Sequence, residues 1–236
     1  MTTGICDGQH APDGIALDVE PPPITAPRRC DGAGPPIIDD GEPLRAVDGP
    51  RLSLLNLYHR RGWPGTSPVT WARAGTVERL NQAASLLPDD FGLAVFDAWR
   101  STATVQALYD AFYGPNSALP AGFLADPDDP TRVPPHNTGG AVDVTLAHRG
   151  VALTLGTCFD EFSPTAHTLA LEDDPHHPTR ALRRLLHDVM ARAGFAALPE
   201  EWWHFSYGDQ AWAHHTGAAS TPYGATEPDA GGASRR

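Results

Sequence analysis

Cysteine is scarce in this chain: Cys6, Cys30 and Cys158 are the three present in 236 residues, and no C-x-x-C pair occurs among them. That excludes a zinc knot held by cysteines. Odd in number and scattered, the three read as structural thiols, with a Cys6–Cys30 disulfide as the less favoured alternative in a reducing compartment. Positive charge is also short, 17 Lys and Arg against 29 Asp and Glu, giving a net −12 and a pI near 5.2. A surface of that sign repels nucleic acid and anionic lipid, so neither is an expected partner. No apolar run approaches the roughly 20 residues that cross a bilayer. The opening MTTGICDGQHAPDG has neither the basic stretch nor the apolar stretch of a secretory signal, and the expected location is the cytoplasm. Mean hydropathy of −0.31 and 41% hydrophobic residues are ordinary for a soluble globular chain.

Proline and glycine, by contrast, crowd the first fifty residues: Pro21, Pro22, Pro23, Pro27, Pro35, Pro36, Pro43 and Pro50 stand there with few large apolar neighbours. Such a stretch cannot offset its own ordering entropy by burial. Residues 1–50 therefore read as an arm, partly disordered or wrapped on the domain. Residues 51–223 read as one domain and 224–236 as a disordered tail.

Inside the domain, Val77, Leu80, Ala84 and Leu87 recur at helical spacing, with Thr76 as the N-cap and Pro88 as the stop. Residues 92–99 read as a buried strand, and 101–113 as a helix ended by Gly114-Pro115. Residues 140–146 form a strand rich in β-branched residues. A third helix over 179–193 turns Leu182, Leu185, Leu186, Val189 and Met190 inward and has Gly194 as its C′ residue. Residues 202–207 make a last, aromatic strand. The elements do not alternate as βαβ units, so the predicted class is α+β, a mainly antiparallel sheet with flanking helices.

Two segments carry the chemistry. PHNTGGAVDVTL (135–146) places His136 and Asp143 seven residues apart, and EWWHFSYGD (201–209) places Glu201 and His204 three apart. Two imidazoles and a carboxylate suit a hydrolytic zinc site, in which three protein ligands leave a position for water. A carboxylate that does not ligate can act as general base and acid, the role predicted for Glu201 over its solvated neighbour Glu200. An odd separation puts His136 and Asp143 on opposite faces of a flat strand. Gly139-Gly140 can supply the turn that resolves this. If the two strands are neighbours, Asp143 and His204 form a cross-strand pair. The remaining histidines read as surface or core residues, with His214-His215 able to take up metal adventitiously.

These residues resemble the D-alanyl-D-alanine dipeptidases, within the wider group of zinc D,D-peptidases. The pattern S-x-H-x-x-G-x-A-x-D is met by His136, Gly139, Ala141 and Asp143, and E-W-W-H by Glu201, Trp202, Trp203 and His204. Asp97 to Arg100 (DAWR) looks like the family's D-x-x-R segment, and Leu155 to Pro164 (LGTCFDEFSP) like its G-T-x-F-D segment. The resemblance implies a hedgehog/D,D-peptidase type of fold and one Zn²⁺ per chain on His136, Asp143 and His204. It implies Glu201 as base and acid, and Arg100 against the charge developing on the scissile carbonyl. Asp160 would hold the ammonium of a small D,D-dipeptide, with Asp97 also at the substrate site. The family serine two residues before the first histidine is Pro134 here, which removes a hydroxyl near the site. A D,D-carboxypeptidase on longer wall peptides and a non-catalytic zinc-binding domain are the rival readings. An Fe(II) facial triad is a further one, but has no use for Glu201.

Overall fold

The computed structural model describes residues 4–29, 33–113, 126–129 and 131–228. Cys30, the Gly114-Pro115 stop and residues 229–236 of the tail lie outside these. In chain order the elements are β1 (Gln9–His10), β2 (Leu44–Ala46), β3 (Leu52–Leu54), α1 (Leu57–Arg60), β4 (Trp71–Arg73), α2 (Ala74–Ser85), β5 (Phe91–Asp97) and α3 (Thr102–Tyr113). A 3-10 turn (Pro135–Thr138) follows, then β6 (Ala141–His148), β7 (Val151–Leu153), a second 3-10 turn (Pro164–Ala166), α4 (Arg180–Arg192), β8 (Ala196–Ala197), β9 (His204–Ser206) and α5 (Gln210–Thr216).

β6 is the axis of the larger sheet. One edge pairs antiparallel with β5; the other takes β9 along the first half of β6 and β7 at its end. β3 extends the sheet beyond β5 and β1 beyond β7, both parallel, while β8 pairs with β9. β2 and β4 make a separate antiparallel pair. The class is α+β, with helices and open sheets. β5 and β6 are buried along nearly their whole length, which is why their sequences are near-continuous apolar runs rather than alternating ones. Helices α2 and α4 touch each other and the sheet, and Leu182, Leu185, Leu186, Val189 and Met190 of α4 are all buried. Gly194 follows the helix with φ 92°, the left-handed stop that glycine permits.

Three local expectations change. Helix α2 begins at Ala74, two residues before Thr76, and Thr76 is buried with its hydroxyl unpartnered rather than capping. β4 runs straight into the helix, and the backbone donors there are met by loop carbonyls instead: Arg73 N–H bonds to Gly139 O and Ala74 N–H to Pro43 O. The last strand is shorter than 202–207. Trp202 and Trp203 form a turn sunk into the core, Trp202 N–H donating to Ala166 O and Trp203 O accepting from Val144 N–H. Finally, Cys6 and Cys158 are not free thiols: they are joined in a disulfide across 152 residues, with 5.0 Å between their Cα atoms. Beside it, Ile5 is buried and bridges to Phe159, and β1 pairs with β7. No helix among the described residues is long and apolar enough to cross a membrane.

Candidate metal centre

One row of the sheet assembles most of the site. Asp143 of β6 stands opposite Asp97 of β5 on one side and opposite His204 of β9 on the other. Residues directly opposed across a ladder project from the same face. Two carboxylates and an imidazole thus meet at one place although 107 residues separate the first from the last. A shift in register between Val95 and Asp97 marks a bulge in β5, the device that re-aims a side chain at the end of a ladder.

His136 arrives from outside the strand. It sits in the 3-10 turn before β6, which Gly139 closes at φ 73°. The turn is held from both sides: Arg73 Nε donates to Thr138 O, Asn137 Nδ2 donates to Arg100 O, and Arg100 N–H donates to His136 O. The parity conflict between His136 and Asp143 therefore does not arise, because only Asp143 obeys strand alternation.

Nδ1 of His136 lies 2.5 Å from Ala98 O. A carbonyl only accepts, so Nδ1 carries the proton and Nε2 presents its lone pair inward. On His204 the outer nitrogen is Nε2, 3.2 Å from Ser206 Oγ, which can accept its proton and leave Nδ1 facing the cluster. His136 Nε2 and His204 Nδ1 are then 3.2 Å apart, with Asp143 oxygens 3.3 and 3.1 Å from them. Among the described residues these three form a group whose ligand atoms all lie within 4.8 Å of one another, every member buried. Lone pairs converging without a proton between them fit a cation, and outer-nitrogen partners are what orient metal-bound imidazoles.

Burial alone would raise the Asp143 carboxyl, but His136, His204 and Arg100 around it hold it well below the usual range. His136 is pushed down by burial and then by Arg100. Glu201 is buried just before β9, with Oε2 3.9 Å from His204 Nδ1. Burial, followed by the charges of Asp143 and Asp160, raises its carboxyl well above the ordinary value. Glu200 turns away and pairs with Arg29 at 2.9 Å.

Arg100, also buried, bonds through Nε to Asp97 at 2.5 Å and through Nη2 to Asp143 at 2.6 Å. Burial works against its charge, yet the carboxylates of Asp97 and Asp143 more than compensate and keep it protonated. Asp97 is thus bonded to Arg100 and lies 4.0 Å from His136 Nδ1. Burial pushes its carboxyl up against the pull of Arg100 and His136. Asp160 sits in the left-handed region at φ 56°, buried, and accepts from Tyr58 Oη at 2.6 Å. Burial raises it to about 7 despite that bond.

Two participants escape a reading of the sequence. Tyr58 is 102 residues from the carboxylate it meets, and nothing local marks it. Ser206 had a signal: it lies two residues after His204 in one strand, and such pairs share a face.

Comparison with known proteins adds to this geometry. The family model described as D-ala-D-ala dipeptidase matches residues 74–221. A D-alanyl-D-alanine dipeptidase of Synechocystis is 32% identical over 215 residues, 75% of this chain and 87% of its own length. One of Escherichia coli is 36% identical over 106 residues, 42% of this chain and 52% of its own. One of Streptomyces coelicolor is 37% identical over 73 residues, 30% of this chain and 35% of its own.

Proposed function

We propose, for a chain that belongs to the D-ala-D-ala dipeptidase family, zinc-dependent hydrolysis of D-alanyl-D-alanine or a close D,D-dipeptide to free amino acids. The observation that carries this is the convergence of His136 Nε2, Asp143 and His204 Nδ1 with Glu201 lying against them. The two imidazole nitrogens stand 3.2 Å apart, His136 Nε2 lies 3.3 Å from Asp143 Oδ2 and His204 Nδ1 lies 3.1 Å from Oδ1. This clustering supports zinc, whose tetrahedral ligands at bond lengths of about 2.0–2.2 Å sit roughly 3.3–3.6 Å apart. Bound there, a zinc ion supplies an acidified water and a Lewis acid for the peptide carbonyl.

The protein's own groups do the rest. Glu201, kept basic enough by burial, takes the proton of the attacking water and delivers it to the departing amine. Arg100, locked by Asp97 and Asp143, sets a fixed positive charge where negative charge grows on the carbonyl oxygen. Asp160, buried and bonded to Tyr58 rather than ion-paired among the described residues, is suited to the substrate ammonium, whose arrival would favour its ionised form. Asp97 serves this reading as the brace of Arg100. The same reading assigns residues 51–223 to a zinc D,D-peptidase type of domain, with the described part of the 1–50 arm laid on it, and expects the protein in the cytoplasm.

The test is release of free D-alanine from D-Ala-D-Ala by purified protein, with chelator and then with zinc restored. Turnover abolished by the chelator and recovered with zinc is the expected result. Turnover indifferent to both, or confined to longer peptides blocked at the amino end, would overturn it.

A further inference from the structure

We propose that Tyr58 is a positioning residue for the substrate, its hydroxyl fixing the Asp160 carboxylate and its ring fixing the Arg100 guanidinium. One side chain would then set the distance between the group that receives the substrate's ammonium and the group that faces its scissile carbonyl. The inference rests on the function proposed above.

Several observations converge on this residue. Tyr58 is buried in α1, its Oη 2.6 Å from Asp160 Oδ2 and its ring centre 4.8 Å from Arg100 Cζ. A buried tyrosine hydroxyl needs a partner. Here the partner is a carboxylate rather than a backbone carbonyl, and the bond occupies Oδ2, which leaves Oδ1 for a cation. The ring is held by Trp63 edge-on at 6.1 Å and by Phe159 at 5.5 Å. Phe159 is the residue before Asp160, so ring and hydroxyl grip the same segment. The helix carrying Tyr58 is held in turn: Asn56, which precedes it, takes φ 45° and donates from Nδ2 to Ser67 O at 3.0 Å. The guanidinium over the ring is a cation–π contact, strongest where water is excluded. The ligand class this geometry suits is a short peptide with a free amino terminus, whose ammonium can donate to Asp160 Oδ1.

Tyr58→Phe keeps the ring and removes the hydroxyl. The expected result with D-Ala-D-Ala is a KM raised about tenfold, the scale of a hydrogen bond to a charged group. The loss should fall mainly on KM rather than kcat. Preference for the free dipeptide over its N-acetyl derivative should fall by a similar factor. A KM and a preference within twofold of the parent would overturn the proposal. Asp160→Asn separates it from the reading beneath: if that variant also leaves KM and preference unchanged, the assignment of Asp160 to the ammonium fails. If Asp160→Asn raises KM while Tyr58→Phe does not, Tyr58 alone is wrong. In the double variant the second substitution should add little to the first; fully additive losses would show the two side chains to be uncoupled and overturn the proposal.

Discussion

Glu200 and Glu201 are adjacent acids with opposite surroundings: one pairs with Arg29 near the surface, the other is buried against His204. Removing the second, as Glu201→Ala, is expected to lower kcat by about 10²–10⁴-fold while the protein still binds zinc; turnover beside metal analysis checks both halves. Ser206 acts through His204 by holding its outer nitrogen. Ser206→Ala is expected to weaken zinc binding by roughly 10–100-fold, measured by competition with a chelator of known affinity, and Ser206→Thr should restore most of it. The candidate ligands were legible because His, Asp and Glu at these spacings have few other reasons to stand together beside glycines and tryptophans. Tyr58 was not, because a tyrosine among apolar residues reads as core whether or not its hydroxyl meets a carboxylate.

Among the elements, the turn before β6 and helix α4 make opposite demands. The turn needs space. A methyl on Gly140 would collide with the carbonyl of Tyr207, the same residue whose N–H Gly140 accepts at 2.9 Å. Gly140→Ala therefore presses two paired backbones apart, at about 1–3 kcal/mol, and is expected to lower Tm by roughly 5–10 °C in thermal unfolding. Helix α4 instead buries an ionisable group. His187 donates from Nε2 to Trp202 O over 3.1 Å, and burial, aided by Arg183, depresses it to about 3. The unfolded chain binds that proton near 6.5 and the folded chain does not, so stability is full above 6.5 and falls as pH drops toward 3. The expected slope from this group is about 1.4 kcal/mol per pH unit. His187→Gln should flatten the curve across that window, as judged by denaturant unfolding at several pH values. Helix α4 was readable from its apolar spacing; the turn at Trp202-Trp203 was not, because aromatic residues suit a strand as well as a buried turn.

For the molecule as a whole, the Cys6–Cys158 bond ties the first described residues to the segment that carries Asp160. Closing a loop of 152 residues removes unfolded-state entropy worth roughly 4–5 kcal/mol. Cys6→Ser, or reduction of the parent, is expected to lower Tm by about 10 °C or more, read by calorimetry with and without reductant; an unchanged Tm would count against the bond. Disulfides persist in oxidising compartments, so the bond and the cytoplasmic location expected from the sequence pull in different directions. Alkylation of thiols in protein trapped at lysis would show which holds. All 17 of the Lys and Arg residues are arginines. Arg73 shows why the fork matters: it reaches Thr138 O, Glu42 O, Asp39 and Gly224 O at once, joining the arm, the turn that carries His136 and the segment at Gly224.

What the sequence by itself determined is the chemistry on offer and the α+β class: residue type and local spacing name candidate donors for a metal, a carboxylate beside them and the helices with one apolar face. Only the tertiary structure decided how those donors meet. Which oxygen or nitrogen faces the centre depends on partners such as Ala98 O and Ser206 Oγ. Which cysteines pair, and whether a tyrosine bonds an aspartate 102 residues away, depend on strand register and packing. The physical reason is range. Periodicity and turn chemistry act over a few residues, whereas a hydrogen bond or a disulfide forms between any two groups the fold brings within a few ångströms, and sequence distance leaves no mark on that.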